Sequence, residues 1–170
     1  MGPFTNRMTK PLLLLTNDDG YTSPGLRALW QVLEADYDLV VIAPDRQRSW
    51  IAKAITNPGP LELAQETVGG RSVYTLRGGS TPADCANVGI YHVCPRKPDL
   101  LLSGINLGPN YTSGLTISSG TVGAALEAAC NGVKGVSIGF DLDLKRYHAL
   151  EEGSQEQLDF FSAPAGVMRR

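Results

Sequence analysis

A chain of 170 residues with 42% hydrophobic and 19% charged side chains is long enough to bury one core and lies outside the composition range of disordered segments. A net charge of −2 excludes the basic excess that holds a polymeric nucleic acid or an anionic membrane, while leaving a single nucleotide open as a ligand. No apolar run approaches the ~20 residues of a membrane span, Met1 to Lys10 lack a signal-peptide core, and Cys85, Cys94 and Cys130 are widely spaced without a Cys-x-x-Cys pair, so they read as reduced thiols of a cytoplasmic protein.

Pro11 to Leu15 is a short continuous apolar run, the pattern of a strand buried on both faces. It stops at Thr16-Asn17-Asp18-Asp19-Gly20, a cluster of turn residues. Ser23-Pro24 supplies an N-cap and a proline at the first helical position. Leu26, Leu29, Trp30 and Leu33 then recur at the spacing of one helix face. Leu39 to Ala43 is a second apolar, β-branched run, so residues 1–44 read as strand, helix, strand with a right-handed crossover. Asn57-Pro58-Gly59-Pro60 and Gly69-Gly70 punctuate the middle, with Val73 to Leu76 as a strand. Thr81-Pro82-Ala83-Asp84 has the form of a capping box and opens a helix that runs to about Val93, ended by Pro95 and Pro98. Asp99 to Leu102 is another buried strand, followed at once by the loop residues Ser103-Gly104-Ile105-Asn106. Val122, Ala125, Leu126 and Ala129 form the apolar face of a helix that opens at Ser119-Gly120-Thr121, and Gly135 to Phe140 is a further strand. The segment from Glu151 is expected to hold a short helix. Strands alternating with helices imply a mostly parallel sheet covered on both faces.

In such a sheet, ligands collect outside the carboxyl ends of the strands. The first strand ends in Asn17-Asp18-Asp19, the second runs out through Asp45-Arg46-Gln47-Arg48-Ser49, and the Asp99–Leu102 strand ends in Ser103-Gly104-Ile105-Asn106. All offer oxygen donors, the set that selects Mg²⁺, Mn²⁺ or Ca²⁺ over zinc. Any one of these ends also reads as an ordinary loop. Adjacent aspartates after a buried strand are harder to dismiss, because two like charges repel unless a cation neutralises them. The helix opening at Ser119-Gly120-Thr121 suits either a phosphate or a plain N-cap. Arg46 and Arg48 are either anion contacts or solvated loop charges.

Other chemistries fail on spacing. The chain has no dinucleotide glycine fingerprint after its first strand, no P-loop and no Gly-x-Ser-x-Gly elbow. His92 and His148 lie away from the strand ends. The Asn17-Asp18-Asp19-Gly20 turn is reminiscent of haloacid-dehalogenase-type phosphatases, but that register puts Asn17 at the nucleophilic position, where no aspartyl-phosphate can form.

Leu-Leu-Thr-Asn-Asp-Asp-Gly-Tyr at 14–21 and Ser-Pro-Gly-Leu at 23–26 resemble the N-terminus of the SurE-type survival-protein nucleotidases. Ala-Pro-Asp-Arg-Gln-Arg-Ser at 43–49, Thr-Pro-Ala-Asp-Cys at 81–85, Ser-Gly-Ile-Asn-Leu-Gly at 103–108 and Ser-Gly-Thr-Val-Gly-Ala-Ala at 119–125 match its later blocks in order. The resemblance implies a Rossmann-like, three-layer α/β fold with a mostly parallel sheet, and a metal-dependent phosphatase acting on nucleoside 5′- and 3′-monophosphates. It implies Asp18, Asp19, Ser49 and Asn106 as ligands of Mg²⁺ or Mn²⁺, with Asp18, Asp19 and Asn17 as the catalytic residues. Asn17 would position the loop or touch the phosphate, and Ser119, Gly120 and Thr121 would bind the phosphate. It also implies a homo-oligomer, while the charge and the lack of a long apolar run speak against polymeric nucleic acid and membrane as partners.

The chain departs from the family pattern at Trp50, where many members carry a small residue, and at Tyr111–Ser118, which replace the usual residues before Ser-Gly-Thr. Family members also continue beyond the last strand read here. The chain is therefore expected to be a single phosphatase domain over 1–170, with its core at 11–140 and a divergent or truncated tail at 141–170. The alternative function is a catalytically weak nucleotide- or metal-binding module. The strand at 135–140 would need cover from Leu142, Leu144, Leu150, Leu158, Phe160 and Phe161, and an uncovered edge would pair with a second copy.

Overall fold

The computed structural model describes residues 10–56, 59–141, 145 and 154–167. Strand β1 (Leu12–Thr16) leads through helix α1 (Pro24–Leu33) to β2 (Asp38–Pro44). A hairpin of β3 (Glu62–Val68) and β4 (Arg71–Arg77) follows, then α2 (Pro82–Val88), continued by a π-helical turn at Gly89–Val93. After β5 (Leu100–Leu107) come α3 (Ser113–Ser118), α4 (Gly120–Cys130), β6 (Lys134–Phe140) and α5 (Gln155–Val167). The six strands form one sheet in the order β3-β4-β2-β1-β5-β6. All neighbours are parallel except the β3–β4 hairpin. This is a Rossmann-like α/β sheet, as the alternation of apolar runs and helical faces implies.

Successive residues of a strand point to opposite faces, and here each face has its own core. Leu13, Leu15 and Leu102 pack with Leu26, Leu29, Trp30 and Leu33 of α1 and with Phe161 of α5. Leu14, Ile42 and Leu101 pack with Cys85 and Ala86 of α2 and with Ala124 and Ala128 of α4. The caps fall where the sequence places them. The Ser23 hydroxyl accepts from Leu26 N at 3.3 Å. Thr81 and Asp84 exchange both bonds of a capping box, at 3.0 and 2.8 Å.

Three readings change, and one strand is added. The added strand is the edge strand β3, which lacks apolar alternation; its exposed Glu62 and half-buried Glu66 pair with Arg77 across the hairpin. Its sign in the sequence is Gly69-Gly70, a two-residue turn with both φ positive, at 58° and 79°. The residues Ser103–Asn106 are not a loop. β5 continues through them to Leu107, with an irregularity in its pairing to β6 between Ser103 and Asn106. The buried face of α4 is also rotated from the expected one. Gly120, Gly123, Ala124 and Ala128 face inward while Leu126 is 52% exposed, because only small residues let this helix lie so close to its neighbours. Finally, the C-terminal segment holds a full helix, α5, which packs on α1 and puts the Phe161 ring 6.1 Å from that of Phe140. Leu142, Leu144 and Leu150 lie outside the described residues. No described helix is long and apolar enough to cross a membrane.

Candidate active site

The turn after β1 is built on Asn17. Its side chain is fully buried, donating from Nδ2 to Ser23 Oγ at 2.8 Å and accepting at Oδ1 from Gly20 N at 3.2 Å. Both ends of the carboxamide are thus engaged in closing the loop. Of the two roles expected for Asn17, the structure supplies the positioning one. Gly20 sits at φ 100°, and a Cβ there would stand 3.3 Å from the Arg46 carbonyl carbon, so the turn after β2 packs directly on it.

The turn projects two carboxylates with different partners. Asp18, 3% exposed, accepts the Thr121 hydroxyl at 2.7 Å, and its backbone carbonyl accepts Arg48 N at 2.6 Å. Half-buried Asp19 accepts Leu107 N at 3.2 Å. Burial pushes the Asp18 carboxyl above its usual range against the pull of the Thr121 hydroxyl and backbone bonds. Burial, and then the neighbouring Asp18 charge, push Asp19 up to about 7. Nearby cations do not relieve this. The Arg48 guanidinium lies 3.8 Å from Asp45, and Arg46 is exposed.

Asp18, Ser49, Asn106 and Ser119 share the wall of one cavity of about 290 Å³ with Trp50, Leu107, Pro109, Leu115 and Ser118. Asp19 stands beside this wall through its bond to Leu107. The Asn106 nitrogen donates to the Gly108 carbonyl at 3.1 Å, which leaves its oxygen as the atom to meet a cation. A larger cavity, about 590 Å³, lies at the opposite ends of β1 and β2. Its Lys10 donates to the Ala35 carbonyl, and its Arg71 and Arg96 pair with Glu34 and Asp99.

The oxygen set of Asp18, Asp19, Ser49 and Asn106 fits a hard divalent cation. Two carboxylates held with raised proton affinity and no cationic partner have the charge that such an ion would neutralise. Among the described residues no three His, Cys, Asp or Glu side chains cluster, so a cation here would draw on the Ser49 and Asn106 oxygens beside the two carboxylates.

The expected phosphate residues divide. Ser119 caps α4, accepting Val122 N at 3.2 Å, and lies on the cavity wall. Gly120 lies against Asp18, where an added Cβ would stand 3.0 Å from the Asp18 Cβ. Thr121 is turned away from the cavity onto Asp18, giving it both hydroxyl and backbone bonds.

The segment that carries Ser49 bears backbone strain, with Trp50 at φ 62° and Ala52 at φ 53°. Such conformations cost about 1–3 kcal/mol each unless the surroundings hold them. The Ala52 N–H donates to the Ser118 carbonyl at 2.9 Å. Lys53 Nζ meets Glu127 at 2.5 Å, and Glu127 also accepts from Asn87 and Asn131. Asp84 accepts Thr56 N at 3.0 Å and the Thr56 hydroxyl at 2.6 Å. Lys53, Asp84 and Glu127 hold the segment next to Ser49 through contacts that sequence reasoning misses. The capping box showed Asp84 as a helix cap, but not that its carboxylate also clamps a segment 28 positions away.

The sequence signature described as Survival protein SurE matches residues 13–164. The chain belongs to the SurE family. A SurE relative from Carboxydothermus hydrogenoformans, named 5′-nucleotidase SurE, is 44% identical over 128 residues, 74% of this chain and 48% of the relative. One from Methanocella arvoryzae with the same name is 38% identical over 144 residues, 84% of this chain and 51% of the relative. The crystal structure of a SurE protein from Aquifex aeolicus superposes with a TM-score of 0.74 at 35% identity, over 94% of this chain and 57% of that one. The chain spans about half the length of the curated SurE relatives it matches.

Proposed function

We propose that this chain carries the site of a metal-dependent nucleotidase, which hydrolyses nucleoside 5′- and 3′-monophosphates to nucleoside and phosphate within one phosphatase domain whose core is residues 11–140. One observation carries the reading. Asp18, Ser49, Asn106 and Ser119, from four separate segments, meet on one cavity wall, with Asp19 bonded to its edge. Asp18, Asp19, Ser49 and Asn106 would hold Mg²⁺ or Mn²⁺. Such an ion supplies Lewis-acid polarisation of a phosphoryl group and a bound water of lowered pKa.

The chain's own residues provide the rest. The Ser119 hydroxyl hydrogen and the Gly120 N–H, at the positive end of α4, receive phosphate oxygens. Thr121 acts through Asp18, holding one carboxylate oxygen so that the other faces the cavity. Asn17 fixes the turn on which both aspartates stand. The names of the SurE relatives support a nucleotide as substrate. The free thiols Cys85, Cys94 and Cys130 suit a reducing, cytoplasmic setting. The exposed edge of β6 suits a homo-oligomer.

The test is phosphate release from a panel of nucleoside monophosphates, with Mn²⁺, with Mg²⁺ and with excess chelator. Turnover that needs the ion and falls at least a hundredfold in Asp19→Asn supports the reading. Metal-dependent nucleotide binding without turnover would make the chain a binding module, and full activity in chelator would remove the metal from the mechanism.

A further inference from the structure

Trp50 follows directly on Ser49, and the two share the cavity wall with Asp18 and Asn106. Its side chain is 71% exposed, so the indole forgoes most of the burial that a tryptophan ordinarily gains in a fold. Its backbone stands at φ 62°, a region that bulky residues rarely occupy. The segment is held there from both sides. Arg48 N donates to the Asp18 carbonyl before it, and Ala52 N donates to the Ser118 carbonyl after it. Lys53 adds its ion pair with Glu127 on α4. A firmly anchored segment thus keeps a large flat ring in solvent beside the carboxylates, at a conformational cost that nothing in the packing of the ring offsets.

The remaining wall gives the ring its context. The cavity wall mixes polar side chains, among them Asp18, Ser49 and Asn106, with the apolar Trp50, Leu107, Pro109 and Leu115. A ligand that fits both has an anionic group and a flat apolar one. Every nucleobase has a π-face that stacks on an aromatic side chain, and the larger purine ring overlaps more of an indole.

We propose that Trp50 is the platform on which the base of the substrate nucleotide stacks, and that it sets a preference for purine nucleoside monophosphates over phosphate esters that lack a base. This specificity role rests on the phosphatase reading of the adjoining site. It concerns a residue that touches the leaving group of the reaction and not the metal.

Two substitutions isolate the ring. Trp50→Ala and Trp50→Phe both retain a Cβ at φ 62°, so they share the backbone strain and differ in the aromatic face. With the Mn²⁺-loaded protein, kcat/KM is measured for adenosine monophosphate, cytidine monophosphate and ribose 5-phosphate. In Trp50→Ala the ratio of adenosine monophosphate to ribose 5-phosphate should fall about tenfold, through KM, and Trp50→Phe should restore most of it. An unchanged ratio in Trp50→Ala would overturn the proposal.

Fluorescence gives a reading that needs no turnover. Trp30 is buried at 2% exposure, so quenching by a bound base reports Trp50. Adenosine monophosphate should quench the emission, ribose 5-phosphate should not, and the quench should vanish in Trp50→Phe. Quenching without hydrolysis would sink the nucleotidase reading and leave the platform standing. Hydrolysis without quenching or any change in the ratio would do the reverse.

Discussion

Asp18 and Asp19 are neighbours in the chain, yet they hang from different parts of the fold: Asp18 from the first turn of α4 through Thr121, and Asp19 from the end of β5 through Leu107. Thr121→Val removes a buried donor to a charged acceptor, a loss of about 1.5–3 kcal/mol. If Thr121 positions Asp18, calorimetric titration should show Mn²⁺ affinity falling tenfold or more, with a smaller change in KM for substrate. Ser119→Ala should show the opposite split, because its hydroxyl faces the cavity. Equal effects on substrate KM alone would place Thr121 on the phosphate after all. The raised carboxyls also set a pH dependence. Both folded-state values lie above the ordinary 3.8, with Asp19 at about 7. Between these limits the folded chain holds protons that the unfolded chain has released. The metal-free fold therefore loses stability as pH rises from about 4 to about 7 and is level above that. Thermal unfolding without metal should give a lower Tm at pH 7.5 than at pH 5, and Mn²⁺ should raise Tm more at the higher pH. Asp19→Asn should flatten both trends. A metal-free Tm that climbs across this range would contradict the assignment.

At the scale of elements, the sequence showed most clearly what depends on local chemistry. The Ser23 and Thr81 caps, the apolar face of α1 and the buried runs of β1 and β2 each follow from residues close in the chain. The site residues at three strand ends were legible for the same reason, since a parallel sheet gathers its strand ends. What depends on distant contacts was not legible. Leu126 has the hydrophobicity of an inward residue, but the close packing of Ala52 on Gly123 decides which face of α4 turns in. A Cβ at Gly123 would stand 2.3 Å from the Ala52 carbonyl oxygen. Gly123→Ala must therefore push the segment carrying Ser49 and Trp50 off the helix. Its kcat/KM should fall at least tenfold with the circular dichroism of the fold retained, whereas Gly114→Ala, where nothing lies within 4 Å, should be neutral. The same segment depends on Glu127. Glu127→Ala leaves Asn87, Asn131 and Lys53 without their shared acceptor. Lys53 is half-exposed, so solvent screens the pair, and the loss expected is that of hydrogen bonds to a charged group, about 1.5–3 kcal/mol, which urea unfolding would measure. A loss below about 1 kcal/mol would show that the network is only a surface pair.

At the scale of the molecule, the two edges of the sheet differ in how they meet solvent. β3 is guarded by charge, since Glu62 and Glu66 face Arg77 across the hairpin and would repel or misalign an incoming strand. β6 has one charged residue, Lys134, at its start, and continues Gly135-Val136-Ser137-Ile138-Gly139-Phe140. Val136 is 38% exposed, and among the described residues the strand pairs with β5 alone, apart from a single bridge between Phe140 and Gly108. An edge rich in β-branched and small residues, with no strand paired to its outer side among the described residues, is a template for another strand. α5 packs on α1 and β5 and meets β6 through the Phe161 and Phe140 rings, a contact with a face of the strand and not with its hydrogen-bonding edge. The chain should therefore self-associate through β6, and light scattering coupled to size exclusion should give at least a dimer. Val136→Lys places a charge at the middle of the edge, where its desolvation would oppose pairing, and should shift the population toward monomer with an unchanged Tm at low concentration. A wild-type chain that is monomeric at high concentration would show that the edge is protected by the residues around it. A dimer indifferent to Val136→Lys would place the contact on another face, with the charged β3 edge the first to be tested by Glu66→Ala.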